Sequence, residues 1–214
     1  MAERCATLDV MDDAGMNDAV VVRQRADGSR ELRVNGVFVM DDLQTTSERL
    51  LARGLSGDVL VGGLGLGFTV RELLTGDVTR VLVAELHPEV VEAVELPADP
   101  RLEVVIGDVR DVVTTQPRGS LDAIVLDVDN GPDFLVHDHN AALYEDDFIG
   151  VCAARLRAAG RLTIWSMADS RAVRDSLARR FGDVEVTEVP VVLQGRQESY
   201  WLLTGIAPSL QSGT

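Results

Sequence analysis

Asp58-Val-Leu-Val-Gly-Gly-Leu-Gly-Leu-Gly-Phe68 decides how this chain is read. Val59-Leu60-Val61 is a short apolar run suited to a buried strand, and it feeds directly into glycines at 62, 63, 65 and 67. Thr69-Val-Arg-Glu-Leu-Leu74 then opens a helical pattern. A strand, a tight glycine turn and a helix start together form a cradle for a nucleotide-type ligand, because the helix start presents unpaired N–H groups. Glycine turns with positive φ and lets a ligand reach the backbone with no Cβ in the way.

The spacing separates two kinds of nucleotide. A dinucleotide fingerprint runs G-x-G-x-x-G, and in the frame Gly63-x-Gly65 its third glycine falls on Phe68. The pattern present is G-x-G-x-G, the form common in S-adenosylmethionine-binding folds, and Gly63, Leu64, Gly65 and Gly67 are the expected contacts. Thr79-Arg-Val-Leu-Val-Ala84 reads as a second strand ending at Glu85, 18 residues after Gly67. That is near the ~20 expected before an acidic residue that holds a ribose diol. A carboxylate suits the task because it accepts two hydroxyl hydrogen bonds at once, and Leu86 follows it at the same strand end.

Outward from the glycine loop, strand and helix patterns alternate. Strands are expected at 57–62, 79–84, 101–106, 121–127 and 160–165. Helices are expected at 68–75, 88–95, 144–158 and 169–181, with a short one at 108–114. That rhythm implies an α/β fold, a mostly parallel Rossmann-like sheet covered by helices on both faces. Residues 183–189 and 198–204 flank Gln194-Gly-Arg-Gln197 as two consecutive strands, so the sheet should end in an antiparallel hairpin. Dehydrogenase sheets are usually all parallel, which is a second mark against a nicotinamide dehydrogenase. Upstream, 19–25 and 30–34 read as a hairpin with a further turn at Asn35-Gly36, and Thr45 or Thr46 can cap a helix ending near Gly54. The expected division is a short β element over 1–43, a ligand-binding domain over 44–206 and a loose tail over 207–214.

Composition limits the function classes. The chain has 214 residues, 46% of them apolar, and a formal net charge of −15. Such acidity argues against a nucleic-acid partner, which needs a basic surface, and suits a neutral or cationic small molecule. All 20 basic residues are arginine, which removes Schiff-base and P-loop lysine chemistry. No apolar window is long enough to span a membrane and the N-terminus lacks signal-peptide character. Cys5 and Cys152 are too far apart in sequence to suggest a disulfide framework, so a cytoplasmic protein is the expectation. The histidines, including His137-x-His139, give no zinc-like spacing, and no metal is expected.

In open α/β sheets ligands bind at the carboxyl ends of the strands. The third strand ends in Ile106-Gly107-Asp108-Val109, where a carboxylate can accept the adenine amino group while main chain reads the ring edge. The fourth ends in Leu126-Asp127-Val128-Asp129-Asn130-Gly131-Pro132, the most polar convergence in the chain. Asp127 and Asp129 could bind an amine or act as a base, on one face if the strand continues that far. Tyr144, Trp165 and Trp201 are candidates to line the pocket, Trp165 foremost by position.

Together these residues resemble the spermidine synthase family within the class I methyltransferase superfamily, over roughly Val34 to Thr204. The resemblance rests on the glycine loop with Arg71-Glu72, Glu85 followed by His87-Pro88, Gly107-Asp108, and the loop from Asp127 to Pro132 followed by Leu143-Tyr144. It implies S-adenosylmethionine or its decarboxylated form as cofactor, an N-terminal β domain in shortened form, and dimerisation through it. Three departures stand out. Leu66 replaces an aspartate that holds the cofactor's amine in the family. Asn130 replaces the second loop aspartate, and an amide cannot serve as a base. Thr46-Ser47-Glu48 stands where the family has Tyr-His-Glu.

These departures set the expected function as a small-molecule methyltransferase on this scaffold. Glu85 would hold the ribose, Asp108 and Val109 the adenine, and Asp127 the cofactor's amino group or the nucleophile, with Asp129 or Asn130 beside it. Aminopropyl transfer to an amine acceptor is the first alternative, and a non-catalytic nucleotide-binding protein of the same fold the second.

Overall fold

A computed structural model describes residues 6–7, 20–135, 138–193 and 196–209. Cys5, His137, the Gln194-Gly195 turn and the end of the tail from 210 lie outside the described residues.

The N-terminal element is an antiparallel sheet of β1 (Ala6–Thr7), β2 (Val20–Gln24), β3 (Arg30–Val34) and β4 (Val37–Asp41), in that order. The turn between β3 and β4 is Asn35-Gly36, both at positive φ (53° and 75°), the conformation a two-residue hairpin turn requires. α1 (Thr46–Ala52) leads into β5 (Gly57–Gly62), α2 (Phe68–Leu74), β6 (Val78–Glu85), α3 (Pro88–Ala93), β7 (Leu102–Ile106), α4 (Val109–Thr115) and β8 (Leu121–Leu126). A 3₁₀ helix (Asp138–Tyr144), α5 (Asp146–Arg155), β9 (Leu156–Ser166), α6 (Arg171–Arg180), β10 (Asp183–Leu193) and β11 (Arg196–Ile206) complete it.

The second sheet has seven strands in the order β10-β11-β9-β8-β5-β6-β7. β5 to β9 are parallel, and β11 and β10 close the far edge antiparallel. Alternation along the central strands divides the core. Val59, Val61, Val81, Val83, Ala123 and Val125 face α1, α2, α3 and the N-terminal sheet. Leu60, Leu82, Ile124 and Leu126 face α4, α5 and α6. Val20, Leu32 and Val34 of the N-terminal sheet belong to the first of these clusters, so that sheet roofs the main one instead of standing apart.

The expected helix over 144–158 is corrected. Its first residue, Tyr144, ends the 3₁₀ helix, α5 runs only from Asp146 to Arg155, and Leu156 already pairs with Leu121 in β9. Arg157-Ala158-Ala159 are good helix formers, but tertiary contacts override them. Leu156 is buried, Arg157 bonds Asp58 and Asp122, and Ala159 sits at φ 61° where the β8–β9 register shifts. The fourth strand stops at Leu126, one residue before Asp127. The C-terminal strands run four residues past 189 and two past 204. Thr45 takes the N-cap position of α1 without a side-chain capping bond. Cys152 is free and buried, and burial pushes its thiol pKa up. No helix among the described residues is long and apolar enough to cross a membrane.

Candidate active site

The carboxyl ends of β5, β6, β7 and β8 surround one cavity of about 970 Å³ including its mouth, within the size range of small-molecule sites. β4 and α1 close it from the other side through Met40 and Glu48. The switch in strand order between β5 and β8 opens this crevice, as expected for a doubly wound sheet.

The glycine loop is held from three directions. Leu64 N donates to Glu85 Oε2 at 2.8 Å, Gly63 N to the Ala84 carbonyl at 2.9 Å, and Leu66 N to the Met40 sulfur at 3.1 Å. A Cβ on Gly63 would lie 2.2 Å from the Asp127 carbonyl oxygen, and one on Gly65 2.6 Å from Met40 Sδ. Both residues are at positive φ, so the loop is glycine for conformation and for space. Gly63 and Gly65 line the cavity. Leu64, Gly67 and Leu66 are not among the lining residues, and Leu64 and Leu66 are buried in the core. Phe68 begins α2 with the guanidinium groups of Arg49 and Arg71 over its ring at 5.7 and 6.0 Å.

Glu85 and Leu86 line the cavity. The Glu85 carboxylate accepts from Leu64 N and from His87 N, yet burial outweighs these bonds and holds its pKa above the usual value. Asp108 is the N-cap of α4 and takes Arg110 N at 2.8 Å. Burial pushes its carboxyl up, but the Arg110 guanidinium and amide outweigh burial and leave it below the usual range. Its carboxylate is therefore already engaged, while Gly107, Asp108 and Val109 all border the cavity.

Asp127 lies just past β8 and accepts from Thr69 Oγ1 at 3.0 Å. Burial raises its pKa to about 7, with a further push from the Glu48 carboxylate and a small opposing pull from Thr69. Glu48 is 7% exposed, and burial raises its carboxyl too, against the Ser47 hydroxyl that donates to Oε2 at 2.8 Å. Neither carboxyl has an ion-pair partner among the described residues. Two buried acids near each other and without a cation hold their protons far more tightly than in water.

The rest of the Asp127–Pro132 loop is less convergent than expected. Asp129 lines the cavity and accepts from Asn140 Nδ2 at 2.6 Å. It has φ 61°, so the strand does not continue and the shared-face argument for Asp127 and Asp129 fails. Asn130 is not among the lining residues and uses its carbonyl to accept Met167 N at 3.1 Å. Trp165 lines the cavity and stacks near Tyr200, centroids 4.7 Å apart. Tyr144 instead donates to the Val128 carbonyl at 2.9 Å, and Trp201 packs on the opposite core. Sequence reasoning assigned no site role to Glu48, Met40, Thr69 or Asn140. Glu48 was visible as the retained acid of Thr46-Ser47-Glu48, while the others carry no motif.

The cavity thus presents Glu48, Glu85, Asp108, Asp127 and Asp129, with no arginine among its lining residues and no lysine in the chain. No group of metal-ligating side chains occurs among the described residues.

No family model matches the sequence. A polyamine aminopropyltransferase of Corynebacterium efficiens is 32% identical over 166 residues, which cover 70% of this chain and 31% of that protein. The chain therefore spans about a third of the length of the curated relative it matches. A crystal structure of a spermidine synthase with the transition-state analogue AdoDATO superposes with a TM-score of 0.76 at 18% identity, covering 93% of this chain and 72% of that one. The spermidine synthase of Thermotoga maritima gives 0.74 at 17% identity, covering 95% and 72%. A probable spermidine synthase of Corynebacterium glutamicum gives 0.67 at 16%, covering 94% and 80%.

Proposed function

We propose that this chain, a spermidine synthase homologue in sequence and in fold, transfers the aminopropyl group of decarboxylated S-adenosylmethionine to an amine. The observation that carries this reading is the charge of the cavity, acidic on several sides and without arginine. A sulfonium substrate ending in an ammonium, and a cationic amine acceptor, both suit such a lining. S-adenosylmethionine itself would bring a carboxylate into it at the cost of an unpaired buried anion. Methyl transfer, the expectation from Leu66 and Asn130, is set aside on that ground, and none of the relatives bears that activity in its name.

In this reading the ribose diol lies against Glu85, whose two oxygens keep lone pairs beyond those taken by the amides. The adenine lies along Gly107 to Val109. The acceptor nitrogen attacks the methylene carbon next to the sulfonium. The C–S bond breaks, sulfur keeps the electron pair as the neutral thioether of methylthioadenosine, and the nitrogen gives up a proton. In this reading Asp127 takes that proton, supported by its raised pKa, since a base with a pKa near the working pH is the most effective. The protein otherwise contributes alignment, which supplies much of the acceleration in a displacement whose electrophile is already activated.

Incubation with decarboxylated S-adenosylmethionine and a panel of diamines tests the reading. Methylthioadenosine should appear in step with an aminopropylated amine. Binding of the sulfonium with no methylthioadenosine from any amine would refute it.

A further inference from the structure

We infer that Glu48 is the residue that selects the substrate by charge: from α1, beside Asp127, its carboxylate holds the terminal ammonium of the decarboxylated sulfonium and turns away the amino-acid form. The inference rests on the aminopropyl-transfer reading and adds a specificity residue to it.

The glycine loop offers no acid of its own. Leu66 occupies its centre with no exposure and packs into the core, so any group that meets the ligand's amine must come from elsewhere. Glu48 comes from a different segment and reaches the same floor. Thr69, in the first turn after the loop, ties it there: its hydroxyl lies 3.3 Å from the Glu48 carbonyl oxygen and 3.0 Å from Asp127 Oδ2. The Ser47 hydroxyl fixes one carboxylate oxygen of Glu48. The two acids are thus anchored by hydroxyl groups, one from each side, and by no cation.

Trp165 is a second, independent sign that this floor is completed by a ligand. It lines the cavity, is 8% exposed, and its indole N–H has no acceptor among the described residues. Buried donors are satisfied almost everywhere in native proteins. A cavity wall with one unpaired donor and two acids that have no cation beside them is incomplete until a polar molecule enters.

Charge decides which molecule. An ammonium between two carboxyl groups favours their ionised forms and is favoured by them. A ligand carboxylate at the same place would put three acids together with no arginine among the lining residues, an arrangement that desolvation makes more costly. Charge selection at Glu48 therefore works in both directions, by attraction of one form and exclusion of the other.

Calorimetric binding of methylthioadenosine, decarboxylated S-adenosylmethionine and S-adenosylmethionine to the wild type, Glu48→Gln and Glu48→Asp tests this. Methylthioadenosine has neither charge and reports on the fold and the nucleoside site. The wild type should prefer the decarboxylated form to S-adenosylmethionine. In Glu48→Gln its affinity for the decarboxylated form should fall about tenfold or more while methylthioadenosine changes by less than about twofold, as expected for loss of a charge-assisted bond. Glu48→Asp should recover part of the loss and is the deciding variant if Glu48→Gln does not fold. Should both variants keep the wild-type preference, or weaken methylthioadenosine equally, the role of Glu48 is overturned while the aminopropyl reading stands. A wild type without preference for the decarboxylated form overturns both.

Discussion

The Thr69 hydroxyl lies 3.0 Å from Asp127 Oδ2 and 3.3 Å from the Glu48 carbonyl oxygen, so one hydroxyl on α2 links the first turn of α1 to the residue that follows β8. Through it the turn that follows the glycine loop is tied to both acids of the cavity floor. Thr69→Val keeps the shape and removes the donor. Thr69 holds the Asp127 pKa down, so the variant should raise it and move the rising limb of the pH–rate profile to higher pH. The stability cost should be about 1 kcal/mol, that of one lost hydrogen bond. An unshifted limb would mean that Asp127 is not the proton acceptor.

Asp127 should also make the protein less stable as it ionises. Its folded pKa is raised from 3.8 to about 7, so the native state binds the proton more tightly than the unfolded chain. The stability this confers is complete below pH 3.8 and is lost as pH rises to about 7. Asp127→Asn cannot ionise, so at pH 8 it should be the more stable protein, by on the order of 1 to 4 kcal/mol, with the advantage shrinking toward pH 4. Urea titrations at the two pH values measure it; an advantage independent of pH would contradict the assignment.

Two glycines of the site should respond in opposite ways. Gly63→Ala places a Cβ 2.2 Å from the Asp127 carbonyl oxygen at φ 86°, and backbone cannot yield as a side chain can. It should cost about 2 kcal/mol or more of stability and abolish nucleoside binding. Gly107→Ala meets nothing within 4 Å and should change stability by less than about 0.5 kcal/mol. Because Gly107 lines the cavity, any loss there should appear in binding of methylthioadenosine. Thermal melts with and without that ligand separate the two effects.

Much of the main sheet was legible because its strands are buried on both faces. Val59-Leu60-Val61 and Ala123-Ile124-Val125 are continuous apolar runs, and each is followed by the polar residues of a strand end. Glu85, Asp108 and Asp127 could be placed from those ends alone. The start of β9 was not legible, since Arg157-Ala158-Ala159 reads as helix until Asp58 and Asp122 are in position to hold Arg157. Nor was the arrival of α1 and β4 at the site. Met40 and Glu48 reach the cavity from β4 and α1, and only the packing of the N-terminal sheet on the shared core brings them there. Asp127 and Asp129 both line the cavity, but not as neighbours on one strand face. The left-handed Asp129 ended the alternation on which that shared face depended, and Asp127 is raised first by its burial and then by the charge of Glu48.

The most direct measurement is a one-pot incubation of the purified protein with equal amounts of S-adenosylmethionine and its decarboxylated form, with putrescine as acceptor. Mass spectrometry would follow the two possible nucleoside products. Methylthioadenosine accumulating with spermidine, and S-adenosylhomocysteine absent, is the result predicted by an acidic cavity without arginine. S-adenosylhomocysteine with a methylated amine, and no methylthioadenosine, would contradict it.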